Sequence, residues 1–342
     1  MNNLFILALG AAIISFAATP FVRRFAEKIG VIDIPKDNRR VHKKPIPKLG
    51  GLSLYISFVA TLILKEGSLI PSEKGIILGA TVIVIGGFLD DKYDIKPIYK
   101  IIFQVAATCI LLYFGIRIRL ITNPTSDVKQ YLDITTLGIP LTILWVVGVT
   151  NAFNLIDGLD GLAAGVACIS SITMLVIALL NNRSEAVVCT AVLSGSLIGF
   201  LPFNFNPASI FMSDTGSQLL GFLLAAISIE GAIKSASAFV LAVPILALGL
   251  PICDTLFAII RRKVNGKPIM QADRGHLHHR LLDMGLNQRQ AVVIMYLFSA
   301  LLGIISIIVM EVTNKRAYTI LTFVVILIVL IAWKCGFFVH KE

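Results

Sequence analysis

Asp90 and Asp91 stand side by side at the end of an apolar stretch that begins near residue 75. Adjacent carboxylates are costly at such an edge unless they are solvated, paired or bound to a cation. Further on, Asn151-Ala152-Phe153-Asn154-Leu155-Ile156-Asp157-Gly158-Leu159-Asp160-Gly161-Leu162 places a polar residue at every third position. Steps of three make neighbours on a helix, but they drift around it, so Asn151 and Asp160 cannot share one face of an ideal helix. Gly158 and Gly161 each follow an aspartate, and glycine lets a backbone unwind. A helix that breaks here aims Asn154, Asp157 and Asp160 at one point. A third segment, 203–217, has no Lys or Arg and ends in Ser213-Asp214-Thr215-Gly216-Ser217 where a helix should begin. Asp and Thr are good N-caps; the functional alternative is a carboxylate ligand beside free helix N–H groups, which attract phosphate. Last, His276, His278 and His279 cluster beside Arg274. They lack the cysteine partners and i,i+4 spacing of a zinc site, whereas histidine with arginine suits a phosphate.

Taken together, Asp90, Asp91, Asp157, Asp160 and Asp214 offer hard oxygen ligands. Such ligands suit magnesium, which keeps water and bridges substrate phosphates. Carboxylates, a hard cation, histidine and arginine at a membrane face point to phosphoryl transfer onto or from a lipid.

The membrane face follows from composition. The chain has 342 residues, of which 56% are hydrophobic and only 15% charged. A soluble globular chain carries about 45–50% apolar and roughly 25% charged residues. Disorder, collagen-like repeats and coiled coil are excluded on the same ground. So is a soluble nucleic-acid binder, despite 30 Lys and Arg against 20 Asp and Glu. Eleven apolar runs are candidate spans: 3–21, 49–64, 75–89, 98–115, 137–153, 161–180, 186–202, 215–230, 237–260, 291–310 and 318–338. Spans of this kind should be helices, because lipid cannot satisfy open backbone groups. The expected fold is therefore an all-α polytopic membrane protein, one integral domain over 1–342. Pro244 and Pro251 predict a kink in the ninth span, and Ile116–Leu120 with Asn123-Pro124 suggests a small surface hairpin. The five cysteines read as small apolar filler. The first apolar run has its basic residues after it, the reverse of a secretory signal, and should stay attached.

With the N-terminus outside, 21 Lys and Arg fall on the inner side and 9 on the outer, which is the orientation favoured by the positive-inside rule. The C-terminus is then inside. Of 13 Asp, 11 lie at or near inner ends of spans, and retention in the cytoplasm does not explain acids. The chemistry is expected at that face, in the inner segments 22–48, 90–97, 151–162, 203–217 and 261–290. The cations of 22–48 serve topology and anionic lipid, or some of them meet an anionic substrate.

In order along the chain, Pro45-Ile46-Pro47-Lys48-Leu49-Gly50-Gly51, Phe88-Leu89-Asp90-Asp91, the 151–162 string, the 203–217 string and His276-Leu277-His278-His279 resemble the motifs of the polyprenyl-phosphate N-acetylhexosamine-1-phosphate transferases, glycosyltransferase family 4. The likeness runs from about residue 35 to 285. It implies that UDP-N-acetylhexosamine binds at the cytoplasmic face and that undecaprenyl phosphate enters from the bilayer. The lipid phosphate attacks the sugar-bearing phosphorus, and UMP leaves. It implies Mg2+, with Mn2+ as a substitute, held by Asn154 and Asp214. Asp90 or Asp91 would deprotonate or position the lipid phosphate, and Asp157 and Asp160 would orient uridine, diphosphate or metal-bound water. His276, His278, His279 and Arg274 would hold the sugar phosphate, with Lys48 and Asn151 as further substrate contacts. A homodimer is left open.

Three departures matter. Ser213 stands where the family usually has glycine before the metal aspartate. Asp94 replaces the lysine of the muramoyl-pentapeptide branch, and His-Leu-His-His replaces that branch's consecutive histidines. The last two favour N-acetylglucosamine and a bacterial cell-surface glycan such as teichoic acid or O-antigen, with the pentapeptide substrate as alternative. A transporter is the remote rival. It would need ionisable groups near mid-membrane, and the nearest case, Asp254, is seven residues from Arg261, a shallow position.

Overall fold

A computed structural model describes residues 2–35, 45–118, 120–122, 131–133, 135–232, 242–267 and 275–334. Among them are thirteen helices and two small antiparallel strand pairs. The helices of the first half are α1 (Asn2–Lys28), α2 (Gly50–Leu64), α3 (Pro71–Tyr93), α4 (Pro97–Tyr113), α5 (Thr135–Ile156) and α6 (Leu162–Leu180). Those of the second half are α7 (Ser184–Asn204), α8 (Ser213–Ala232), α9 (Ala242–Ala247), α10 (Gly249–Val264), α11 (Leu277–Asp283), α12 (Gln288–Glu311) and α13 (Asn314–Lys334). Seven of these are long and apolar enough to cross a bilayer, and α2 and α4 are shorter apolar helices.

Burial sorts the helices into one buried helix and a surround. A helix that is apolar on every side belongs inside a bundle. α8 fits that pattern: Leu219, Leu220, Phe222, Leu223, Leu224, Ala225, Ala226 and Ile227 follow one another with almost no exposure. It packs against α2, α3, α5, α6 and α7. At the periphery, α1 and α13 turn large apolar side chains outward, including Phe5, Ile13, Phe21, Phe323, Leu330 and Trp333. Exposed apolar surface on this scale marks a lipid boundary rather than a water boundary. α1 lies against α7 through small residues. A Cβ on Gly195 or Gly199 would come within 2.0 or 2.1 Å of the Ala8 or Ala12 carbonyl oxygen. This is the small-xxx-small packing that lets membrane helices approach closely.

Two expectations meet their detail here. The ninth predicted span, 237–260, breaks at Leu248 into α9 and α10, between the two prolines; residues 233–241 lie outside the described segments. Leu120–Thr122 (β3) pairs antiparallel with Tyr131–Asp133 (β4), with Leu120 opposite Asp133; the predicted strand 116–120 overlaps this pair only at Leu120, Ile116 and Ile118 being buried outside it, and the predicted turn at Asn123-Pro124 lies outside the described residues. The other pair, Ile32–Asp33 (β1) with Ile46–Pro47 (β2), fixes the chain just before α2.

Candidate active site

The buried central helix delivers Asp214 at its first turn. What sets that turn is close backbone approach. A Cβ on Gly51 would sit 2.2 Å from the Gly216 backbone, and one on Gly87 would sit 2.6 Å from the Thr215 Cα. Glycine at these points lets α2 and α3 close directly on the start of α8. The Gly50 and Gly51 N–H groups donate to the Phe211 and Met212 carbonyls at 2.9 and 3.3 Å, which holds the entering strand of backbone. Ser213 has φ +60°, a left-handed conformation that favours glycine. The serine found here gains a compensating bond: its hydroxyl donates to Asp91 Oδ1.

Asp91 has both carboxylate oxygens committed to this junction. Oδ1 accepts from Ser213 Oγ and from the Asp214 N–H at 3.2 Å. Oδ2 accepts from the Thr215 N–H at 3.0 Å and the Thr215 hydroxyl at 2.6 Å. An acid at a helix N-terminus also meets the positive end of its dipole. The expectation of free N–H groups beside Asp214 is therefore corrected at two positions, since Asp91 occupies them. In this arrangement Asp91 positions Asp214.

Asp90, one residue earlier, faces the cluster itself. Its Oδ1 accepts the Ile95 N–H at 3.1 Å, and its Oδ2 is ion-paired with Lys100 Nζ. Lys100 also reaches Asp214 Oδ1 at 3.3 Å. Asn154 Nδ2 lies 2.5 Å from the same Asp214 oxygen and 2.9 Å from Ser217 Oγ. Three carboxylates or amides from α3, α5 and α8 thus meet around one lysine of α4.

α5 ends at Ile156 and α6 starts at Leu162, so the helix does break within the glycine-containing string. Asp157 sits in that break. Burial first, then the negative charges of Asp214, Asp91 and Asp160, push its carboxyl well above the ordinary carboxylate range. Asp160 turns elsewhere. Its Oδ2 accepts from Asn206 Nδ2 and the Ala208 N–H, both at 3.0 Å, tying the broken segment to the 203–212 connector. Asn151 lies one turn further along α5, where it donates to Gln104 Oε1 at 2.7 Å; Gln104 in turn donates to Gln218 Oε1 at 3.1 Å. Both predicted residues serve polar networks that flank the cluster.

His276 precedes α11 and His278 and His279 lie in its first turn, with His278 meeting the break. The His276 and His278 rings stack at 5.8 Å, and the His278 and His279 rings lie 4.2 Å apart. His278 is buried against Gly158: a Cβ there would fall 2.3 Å from Nε2. Burial first, then the adjoining His279, lowers the His278 pKa to about 3, so this ring is neutral at working pH. The ring dictates glycine at 158. Gly158→Ala should cut turnover about 10–100-fold, the usual cost of displacing an active-site segment by an ångström or so; unchanged release of nucleotide product would refute that packing role. Lys48 is half-buried between β2 and α2, its N–H donating to the Val31 carbonyl at 3.0 Å. Arg274 lies outside the described residues.

Sequence reasoning missed Lys100, Gln104 and Gln218. The first two fall inside the fourth predicted span, and a polar or charged residue within a span is by default a functional signal. Counting Lys100 only as a topology charge concealed it.

The donor set fits a hard divalent ion. Asp90, Asp157 and Asp214 carry up to three negative charges against one ammonium, and the ligand atoms are oxygens. Among the described residues no three Asp, Glu, His or Cys side chains form a complete metal-binding group. Magnesium uses one or two carboxylates and takes its remaining ligands from water and phosphate.

A helical protein with many apolar spans and a phosphate-type acid cluster at one end of its buried helix belongs among the multi-pass membrane enzymes of phosphate chemistry. Residues 74–232 match the family profile described as glycosyl transferase family 4. The chain is 39% identical over 318 residues, 93% of its length and 88% of the relative's, to the Bacillus subtilis (strain 168) "Probable undecaprenyl-phosphate N-acetylglucosaminyl 1-phosphate transferase". It is 34% identical to the decaprenyl-phosphate N-acetylglucosaminephosphotransferase of Mycolicibacterium smegmatis, covering 89% of this chain and 81% of the relative. The undecaprenyl-phosphate alpha-N-acetylglucosaminyl 1-phosphate transferase of Escherichia coli K12 is 28% identical, over 84% and 78% of the two chains. This chain belongs to glycosyl transferase family 4.

Proposed function

We infer that this enzyme transfers N-acetylglucosamine 1-phosphate from UDP-N-acetylglucosamine to undecaprenyl phosphate, giving the lipid diphosphate sugar and UMP. The observation that carries the reading is the joining of Asp90, Asn154 and Asp214 through Lys100 and direct contact, although they come from separate helices. A phosphate acceptor and a diphosphate donor are both anionic, so the site must offset charge as well as orient. Lys100 supplies one cation. Asp214 and Asn154 would hold Mg2+ or Mn2+, which when bound supplies charge neutralisation on the diphosphate. Asp90 is placed to accept a proton from, or to orient, the incoming lipid phosphate, whose oxygen forms the new bond to phosphorus as the bond to UMP breaks. Asp157, in the adjoining helix break, would orient the donor, and His276 and His279, beside His278, would hold the sugar phosphate.

The rest of the reading follows from charge topology and the relatives' substrates. With eleven spans and the N-terminus outside, the orientation that the positive-inside count favours, the cluster would lie at the cytoplasmic face of a bacterial plasma membrane. The nucleotide sugar is available there, and the lipid acceptor is at hand in the inner leaflet. The product would begin a cell-surface glycan. Purified protein with undecaprenyl phosphate and magnesium should release UMP from UDP-N-acetylglucosamine. Release only with UDP-N-acetylmuramoyl-pentapeptide would reassign the sugar.

A further inference from the structure

Asp254 has no part in the reaction as derived so far. It lies in α10 and is only 4% exposed. On one side it borders an apolar cavity of about 550 Å³ walled by Leu250, Phe257, Leu281, Met295, Phe298 and Ile328. An ionised carboxylate is unfavourable in such surroundings unless hydrogen bonds compensate it. Two do. Oδ2 lies 2.8 Å from His276 Nδ1, and Oδ1 accepts the Leu277 N–H at 2.8 Å. The second bond ties down the first turn of α11, and the first orients the ring that precedes it. Twenty-two residues separate Asp254 from His276 in sequence, so α10 grips the histidine segment from outside that segment.

The geometry has a chemical consequence. With Nδ1 turned to a carboxylate, the ring's free nitrogen is Nε2, on the opposite edge. With Nδ1 held by the carboxylate, Nε2 is the ring atom left to meet the donor. The His276 ring is stacked in parallel on His278, which is itself wedged against Gly158 of the helix break. Asp254 therefore sets the orientation of a ring stacked on the one that packs against the helix break.

We propose that Asp254 is a positioning residue of the transfer reaction, acting through His276 to present Nε2 to the phosphate end of the nucleotide-sugar donor. This rests on the reaction proposed above. Carboxylate partners of working histidines at metal sites are worth about 10–100-fold on substitution, and a similar loss is expected here. Asp254→Asn keeps an oxygen for the Leu277 N–H and removes the charge. It should lower kcat by about 10–100-fold with the KM for UDP-N-acetylglucosamine changed less than about threefold, and Asp254→Ala should also lower thermal stability. If the two residues act as a unit, the double variant Asp254→Asn, His276→Gln should be no slower than His276→Gln alone. Full kcat in a folded Asp254→Asn protein, or multiplicative losses in the double variant, would overturn the proposal. The pairing can also be read without turnover. In histidine-labelled protein, the 15N signal that His276→Gln removes should shift in Asp254→Asn, and an unmoved signal would refute the pair. Wild-type protein that shows this pair yet releases no UMP would instead count against the proposed reaction and against Asp254 acting in it.

Discussion

Asp214→Asn should reduce UMP release by roughly a thousandfold or more, the scale on which loss of a principal electrostatic or metal-holding group is felt, while the protein still purifies folded. The fold is expected to survive because the contacts that build the junction are not made by this carboxylate. The Asp214 backbone N–H, not its side chain, is bound by Asp91. The close approaches of Gly51 and Gly87 engage Gly216 and Thr215. An asparagine oxygen can still accept from Lys100 and Asn154, so the local hydrogen bonds are retained in number. What is lost is a negative charge at the one carboxylate that Lys100 and Asn154 both address. Raising magnesium should recover little, since the Asn154 amide would then be joined by a second neutral amide and no charged ligand from α8 would remain. Turnover near the wild-type rate in the variant would remove Asp214 from the metal site, and with it the assignment of Asn154.

How much of this site could be read from residues alone depended on whether the signal was local. The break between α5 and α6 was legible because a period of three, two aspartates and two glycines are all local features. The buried place of α8 was less so: its run looks like any other span, and only packing distinguishes a helix surrounded by five others from one facing lipid. Ser213 illustrates a partial reading. Its departure from glycine is visible in sequence, but its left-handed φ and its bond to Asp91 are tertiary facts. Asp91 is the clearest case. Next to Asp90 it looks like a second copy of the same function. Side chains one residue apart on a helix point in different directions, though, and here one faces the cluster while the other faces the start of α8. Asp254 was read as too shallow for transport and went no further, because its partner lies beyond a connector whose path the sequence does not state.

Lys100 was hidden by the same logic, and its removal carries the other large effect. Lys100→Gln should lower kcat by about 100-fold, within the range seen when one preorganised charge is removed from a site of developing charge. The argument begins with repulsion. Without Lys100, Asp90 and Asp214 face each other with no ammonium between them. Such a cluster attracts a dication more strongly than the wild-type cluster does. The magnesium concentration for half-maximal activity should therefore fall by several-fold even as the maximal rate drops, a combination that misfolding would not produce. Lys100→Arg should recover only part of the rate, because a planar guanidinium cannot occupy the point position of an ammonium between two carboxylates. If kcat stays normal and only the magnesium dependence moves, Lys100 is a charge balancer for the acids and does not act on substrate. If neither moves, the acid cluster is not where the cation and the diphosphate meet.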